Sequence, residues 1–266
     1  MLKKVTDYIR RVFQIFNQSE MRILPGNVAF FFVLALIPII TILVVIASSL
    51  GVSVENVITF VNSVFPKEAG NLVISAISGK GFDSSVGTFN IIALFVASNG
   101  TYAIINASNT MYQVHKSDAL KGRIKSIILL FILLFLIVFL IVVPILGEHI
   151  LSLFSTTPII EYLKIIHRIL EWPLTIFMIY INLKLIYTIA PDVKVSSAST
   201  TYGALFTTVN WTIATAIFSY YLSHFANYNV LYGNLSNLII LMMWLYIISY
   251  VFVMGIAINV ANYENN

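Results

Sequence analysis

No Asp, Glu, Lys or Arg occurs in the 69 residues from Val195 to Tyr263. Soluble domains carry charge on roughly a quarter of their residues, because a surface in contact with water needs it. The stretch is also too long for one helix, and a segment rich in Gly, Asn and Tyr at Ala226–Asn234 divides it. We therefore interpret it as two membrane crossings joined by a short uncharged loop.

The composition extends this interpretation to the whole chain. Hydrophobic residues make up 59% of the 266 residues and the mean hydropathy is +0.93, which predicts a single integral membrane domain over residues 1–266. Cysteine is absent and the four histidines are scattered, so we expect no cofactor and no metal site. A net charge of +4 is too small to indicate nucleic acid as a partner.

Six charge-poor windows are long enough to cross a hydrocarbon core of about 30 Å, which takes roughly 20 helical residues. They predict an all-α, polytopic fold with about six transmembrane helices. The predicted spans lie near residues 27–50, 86–112, 126–147, 172–191, 200–222 and 235–260.

The basic residues predict the orientation of these spans. If the N-terminus lies inside, 11 of the 15 Lys and Arg residues fall in cytoplasmic segments and the other 4 in outer segments. Cytoplasmic loops of membrane proteins carry an excess of basic residues. We therefore expect a multi-pass protein of the cell (inner) membrane with both termini in the cytoplasm.

Two segments outside the predicted spans are amphipathic. Residues 1–22 form a basic cytoplasmic segment in which Val5, Ile9, Val12, Phe13 and Phe16 share one helix face. Residues 54–78 lie on the outer side, and their apolar positions also follow a helical stripe. This outer helical segment either caps the bundle or acts as a gate or partner-binding element.

Polar side chains recur along one face of the second span, at spacings of 3, 4, 3 and 4 residues. They are Asn99, Tyr102, Asn106, Asn109 and Gln113. Polar groups in hydrocarbon are costly unless they are paired or face water. The stripe therefore either lines a cavity or substrate path, or forms hydrogen bonds between helices, and both interpretations stay open here.

Two further spans carry unusual residues. In the fourth span, Tyr180 and Lys184 are one turn apart, and Lys184 lies seven residues, or roughly 10 Å, from Pro191 at the inner end. Lys184 either extends to the interface or binds an anionic headgroup or solute. In the first span, Pro38 frees a backbone carbonyl and predicts a helix kink.

Several blocks of residues, in this order and spacing, resemble the YihY/BrkB family of bacterial inner-membrane proteins. Those blocks are Gly26–Phe32 leading to Pro38, Ala97–Gly100, Trp172–Leu174, Ala190–Asp192, Tyr232–Leu235 and Trp244–Tyr246. The resemblance implies a multi-pass envelope protein, linked in some cases to serum resistance and suspected of transport. The chain departs from the family pattern at Asn99, where many members have Arg, and at Gly255–Ala257, which lacks the usual acid.

The family has also carried the label ribonuclease BN. Metal-dependent RNA cleavage needs clustered His and Asp ligands at a site that water can reach. The sequence offers no such cluster, and no acid/base pair can be placed on a common site. We therefore expect no catalytic residues and no enzymatic activity.

The leading hypothesis is a transporter or lipid-handling protein with a polar cavity within the membrane. Its candidate lining residues are Asn99, Tyr102, Asn106, Asn109, Tyr180 and Lys184. Pro38 would permit a helix to bend. The expected partners are membrane lipids and a lipid or an anionic small molecule as substrate, and no pattern indicates an oligomeric state. The alternative is a structural or scaffolding protein of the envelope without transport activity.

Overall fold

The computed structural model describes residues 10–49, 53–64, 71, 74, 87–114, 118–153, 160–224 and 232–263, and all regular structure in these ranges is helical. The all-α prediction is therefore confirmed. The helices are α1 (Arg10–Phe16), α2 (Glu20–Ser49), α3 (Val54–Val64), α4 (Gly87–Met111), α5 (Ala119–Leu153), α6 (Ile160–Ile189), α7 (Thr201–His224) and α8 (Ser236–Tyr263), with a short 3-10 helix at Gly233–Leu235.

A chain of this composition is expected to form helices. Hydrocarbon offers the backbone no hydrogen-bond partners, and a helix satisfies its N–H and C=O groups within its own segment. Among the described residues, three helical segments are long and apolar enough to cross a membrane: Ala119–Val143, Trp172–Ile189 and Ser236–Tyr263. A fourth crossing arises if α1 and the first part of α2, which meet at 62°, count as one broken span. Each of the six predicted spans overlaps a long helix, while the count of six crossings stays a prediction.

The long helices form a ring in which neighbours in sequence pack side by side. In order these are α2, α4, α5, α6, α7 and α8, and α8 closes the ring by packing along α2. Consecutive helices run in opposite directions. One end of the bundle therefore collects the C-terminal ends of α4, α6 and α8 and the N-terminal ends of α5 and α7. We call it the charged end, because Arg123, Lys125, Asp192 and Lys194 lie there.

The interior is densely packed towards the charged end. Phe252, Val253 and Ile256 of α8 belong to one buried cluster with Ile104 of α4 and Leu183 of α6. This cluster holds the charged halves of the helices together through apolar burial, the main favourable term in folding.

Packing is looser at the opposite half of α6. Trp172 is 66% exposed, and Leu174 and Phe177 are exposed as well. Trp172 and Leu174 point in opposite directions, because successive helical residues are about 100° apart. Neither side of α6 is therefore closely covered there.

Two glycines allow α6, α7 and α8 to approach closely. The backbone N–H of Gly203 donates to Oδ1 of Asn259 at 2.9 Å. A Cβ built on Gly203 would collide with the Gly255 carbonyl and with Asn259, and one built on Gly255 would collide with the hydroxyls of Thr207 and Tyr187. Small residues at such crossings are typical of membrane helix pairs.

The two amphipathic segments pack against the bundle where they are described. In α1, Ile15 is buried and Val12 and Phe16 pack on the core, whereas Phe13 is 63% exposed. The predicted common face is therefore divided between bundle and surroundings, and residues 1–9 lie outside the described ranges. In α3, Val61 is buried, and the helix contacts α2 and α5. Apart from residues 71 and 74, the rest of the outer segment beyond 64 lies outside the described residues.

Substituting Gly203 by Ala tests the close contact between α7 and α8. We expect the free energy of unfolding to fall by about 2 kcal/mol, because overpacking of a fitted interior site costs about 1–3 kcal/mol. Gly26→Ala is the matched control, since a Cβ at Gly26 would meet its nearest neighbour, a ring carbon of Tyr246, at 4.0 Å. Unfolding in detergent with increasing SDS measures both variants. Equal stability of the two would contradict the described crossing.

Candidate functional site

Polar side chains of α4 take part in two clusters near the charged end. The first, the Arg123 cluster, consists of Arg123 of α5 with Phe95, Ser98, Asn99 and Tyr102 of α4. Nη1 of Arg123 donates to Oγ of Ser98 at 2.8 Å and to Oδ1 of Asn99 at 2.9 Å. The guanidinium carbon lies 4.1 Å from the ring centroid of Phe95 and 5.5 Å from that of Tyr102. Cation–π contacts and neutral acceptors therefore hold this cation.

The guanidinium of Arg123 reaches away from the charged end. The hydroxyl of Thr101 donates to the Ser126 carbonyl at 2.6 Å. Thr101 of α4 and Ser126 of α5 therefore lie at the same height along the bundle. Arg123 precedes Ser126, so its backbone is nearer the charged end than Thr101 is. Its guanidinium nevertheless contacts Ser98, Asn99 and Phe95, which lie farther from the charged end than Thr101 does. Side chains normally tilt towards the N-terminus of their helix, which for α5 is the charged end. Arg123 thus extends inward along the bundle rather than out to water.

The second group, the Lys125 cluster, joins α4, α5 and the segment after α6. Nζ of Lys125 lies 2.6 Å from Oδ1 of Asp192 and donates to the Pro191 carbonyl at 2.8 Å. Nδ2 of Asn109 donates to Oδ2 of Asp192 at 2.6 Å, and the Asp192 N–H donates back to Oδ1 of Asn109 at 2.7 Å. The side chains of Lys125 and Asp192 are only 18% and 12% exposed. This ion pair is compensated and fixes three chain segments to each other.

A third set of polar contacts ties α6 and α7 to α8. The Tyr187 hydroxyl shares a hydrogen bond of 2.7 Å with Oγ1 of Thr207 and donates to the Phe252 carbonyl at 2.9 Å. Nδ2 of Asn262 donates to the Ser199 carbonyl at 3.0 Å. These groups are satisfied by neighbouring helices, as expected for structural polar groups in a membrane protein.

The predicted stripe does not stay together: part of it belongs to the first two clusters, whereas Gln113 lies beyond the end of α4, exposed and with a φ of 52°. Asn99 and Tyr102 belong to the Arg123 cluster, and Asn109 belongs to the Lys125 cluster. Asn106 is half-buried between them, and within the described part of the chain its side-chain amide has no hydrogen bond. Asn99, Tyr102 and Asn106 share the less buried side of α4 with Phe95, which is 53% exposed.

The opposite side of α4 is fully covered. Ala97, Ile104 and Ser108 are buried there, and this side faces the packed interior of the ring. The stripe residues Asn99, Tyr102 and Asn106 therefore lie on the half-exposed side of the helix, and their assignment as a cavity lining stays a prediction.

The remaining predicted residues lie on other helices. Nζ of Lys184 is 5.8 Å from the ring centroid of Tyr180, one turn away on α6, and both residues are half-buried. No contact among the described residues joins them to the Arg123 cluster. Pro38 lies within α2, which continues as a helix on both sides of it. In the described ranges no three His, Cys, Asp or Glu side chains gather in a metal-binding arrangement, and the expectation of no metal stays a prediction.

An apolar groove runs between α5 and α6, with a volume of about 370 Å³. Phe131, Phe135 and Phe139 line it from α5, and Met178 and Leu185 are among the residues that line it from α6. The amide of Asn182 also borders the groove, but it donates to the Ile132 carbonyl at 2.8 Å. The groove is thus apolar in character and suited to a hydrocarbon chain.

Sequence reasoning used Arg123 and Lys125 only as orienting charges and Asp192 only as part of the family resemblance, and it missed their contacts. The sequence did indicate that Arg123 is unusual, because this charged residue lies close to the start of the long apolar run of α5. The groove also had a signal, because Phe131, Phe135 and Phe139 recur every four residues on one helix face.

The chain is similar to a family of known proteins over almost its whole length. The family described as "Virulence factor BrkB" matches residues 12–266. The ribonuclease-like protein YfkH of Bacillus subtilis is 29% identical over 258 residues, which cover 95% of this chain and 94% of that protein. A UPF0761 membrane protein of Haemophilus influenzae is 23% identical over 240 residues, covering 87% of this chain and 86% of that protein. No solved structure matches the chain.

Removing one partner of the Lys125 cluster tests its structural role. We expect Lys125→Met to lower the free energy of unfolding by about 3 kcal/mol, because it leaves the Asp192 carboxylate buried without its cation. Lys121→Met is the matched control, since Lys121 and its partner Asp118 are 77% and 80% exposed, and exposed pairs contribute about 0–1 kcal/mol.

The double variant Lys125→Met/Asp192→Leu completes a thermodynamic cycle measured by the same SDS unfolding. We expect a coupling energy of about 1–3 kcal/mol between the two positions. Additive effects of the two single substitutions would contradict a direct interaction.

Proposed function

This chain belongs to the virulence factor BrkB family of membrane proteins, and from that premise we propose that it is a lipid-handling protein that binds phospholipids at its lateral surface and moves their headgroups through the membrane. The observation that carries the proposal is the dual character of α5. This helix borders an apolar groove on the side of α6 and presents the Arg123 cluster on the side of α4. A phospholipid has the same two parts, an apolar chain and a polar headgroup.

The groove supports the apolar half of this proposal. Its volume of about 370 Å³ falls within the range of about 300–1,000 Å³ that is usual for ligand pockets. Phe131 and Phe135 are exposed along it, and in a bilayer such side chains meet acyl chains. Lys121 precedes Ile128 of the groove by seven residues, two helical turns, so it lies on the same face of α5 towards the charged end. A phospholipid would place its chain in the groove and its headgroup towards the charged end.

The half-exposed stripe of α4 supports the polar half. Asn99, Tyr102 and Asn106 lie along the less buried side of the helix, at positions where bare hydrocarbon would be an unfavourable neighbour. Amide and phenol groups can replace part of the water around a headgroup that moves along this side. Such a path lowers the barrier to headgroup movement without any catalytic chemistry.

The structural alternative has its own supporting observation. The side chains of Asn109 and Asn259 take part in hydrogen bonds between chain segments, with Asp192 and with the Gly203 N–H. A scaffolding protein would use its intramembrane polar groups in this way throughout. Lipid movement in a purified system separates the two functions, because scaffolding requires none.

Purified protein in phosphatidylcholine vesicles with fluorescent lipids provides the test. We expect the protein to expose inner-leaflet label to a membrane-impermeant quencher faster than empty vesicles do. Asn106→Leu should slow this movement about tenfold, the equivalent of one lost hydrogen bond of about 1.4 kcal/mol. Its SDS unfolding should stay unchanged, because the Asn106 amide has no hydrogen bond within the described part of the chain.

A second pair of variants examines the groove. Met178→Trp fills it and should reduce crosslinking of a photoreactive acyl chain to α5, whereas Val209→Trp, on an exposed position of α7, should leave crosslinking unchanged. A rate of lipid movement in vesicles with the protein that equals the rate in empty vesicles would refute lipid handling and favour scaffolding. Unfolding of the Asn106→Leu variant would show that this residue holds the helices together.

A further inference from the structure

We propose that the Arg123 cluster is a binding site for a phosphate group, the chemistry that phospholipid headgroups and free phosphates share. This inference rests on the proposed function and deepens it, because it names the part of the lipid that the site recognises.

The charge of Arg123 is not balanced by any described residue around it. Its contacts are the hydroxyl of Ser98, the amide oxygen of Asn99 and the rings of Phe95 and Tyr102, and all four groups are neutral. Within the described ranges no carboxylate lies within ion-pair distance of its guanidinium. A half-buried cation at this depth is unfavourable without an anion.

The other cations of α5 show the contrast. Lys125 has Asp192 at 2.6 Å, and Lys121 has Asp118 at 3.6 Å. Each of these lysines thus has a protein carboxylate as its partner. Arg123 lies between them in sequence, and none of the carboxylates that the structure describes forms an ion pair with it.

The contacts of Arg123 leave N–H groups of its guanidinium available to bind an anion. A guanidinium has five N–H donors in a planar fork. The two hydrogen bonds to Ser98 and Asn99 both come from Nη1. The N–H groups of Nη2 and Nε therefore have no acceptor among the residues that the structure describes. Contact with Phe95 at 4.1 Å restricts the position of the guanidinium, which lowers the entropic cost of binding.

Neighbouring groups on the same side of α4 add donors of a second kind. The amide nitrogen of Asn99 and the phenol of Tyr102 lie on the half-exposed side of the helix, next to the guanidinium. The site thus offers a charged fork together with neutral N–H and O–H groups. A phosphate, free or in a diester, accepts from a guanidinium fork through two oxygens, and its tetrahedral shape directs its remaining oxygens towards neighbouring neutral donors, so the donor set fits a phosphate.

Binding of phosphatidylglycerol tests the site directly. The full-length protein is purified from vesicles of phosphatidylcholine with added phosphatidylglycerol, and native mass spectrometry counts the retained anionic lipid. We expect Arg123→Gln to weaken retention about tenfold, which corresponds to about 1.4 kcal/mol. Arg123→Lys should weaken it by less, because it keeps the charge and loses the fork. Lys194→Gln, which removes an exposed charge at the same end of the bundle, should have no effect.

A second arm distinguishes the two sources of the phosphate. Inorganic phosphate is titrated into the detergent-solubilised protein and the heat of binding is measured. Binding of phosphatidylglycerol alone, dependent on Arg123, assigns the site to a lipid headgroup. Binding of inorganic phosphate that Arg123→Gln abolishes assigns it to a free phosphate.

Equal retention of phosphatidylglycerol by Arg123→Gln and the unsubstituted protein, together with the absence of phosphate binding, would overturn the inference. If Arg123→Gln fails to fold, Tyr102→Phe keeps the charge and should reduce retention about threefold. Lipid movement without Arg123-dependent binding would refute this inference alone. Arg123-dependent binding without lipid movement would refute the proposed function alone.

Discussion

Hydrocarbon provides no hydrogen-bond partners, so a polar group within the membrane is costly unless it finds a partner inside the protein, in water or in a ligand. This constraint explains the arrangement of the helices. The hydroxyl of Tyr187 reaches Thr207 and Phe252, and the side chain of Asn259 reaches the Gly203 backbone. Each bond fixes one helix against another, and glycine at the crossing allows the approach.

The same constraint separates two cations that stand two residues apart on α5. Lys125 turns to Asp192 and becomes part of the framework at the charged end. Arg123 turns to neutral groups of α4 and extends along the half-exposed side of the bundle. One cation is therefore structural, and the other provides the local charge from which the proposed recognition of phosphate follows. The apolar groove on the other side of α5 supplies the complementary surface for an acyl chain.

Much of the fold follows from local patterns in the sequence. Charge-free windows predict the long helices, and helical spacing puts Asn99, Tyr102 and Asn106 on one side of α4, whereas Gln113 lies beyond the end of the helix. Their partners could not be predicted, because Arg123 is 24 residues from Asn99 and Asp192 is 83 residues from Asn109. Only the register between helices brings these pairs together. Asn99, where the resemblance leads one to expect arginine, instead accepts a hydrogen bond from an arginine of the next helix.

The central claim is that Arg123 binds an anion from outside the protein. Electron cryomicroscopy of the protein in nanodiscs that contain phosphatidylglycerol tests this claim most directly. The account predicts density for a phosphate within about 3 Å of Nη2 or Nε of Arg123, the usual distance for a charge-assisted hydrogen bond, with its acyl chain along the bundle surface. A protein carboxylate in that position, or a guanidinium surrounded only by acyl chains, would contradict it.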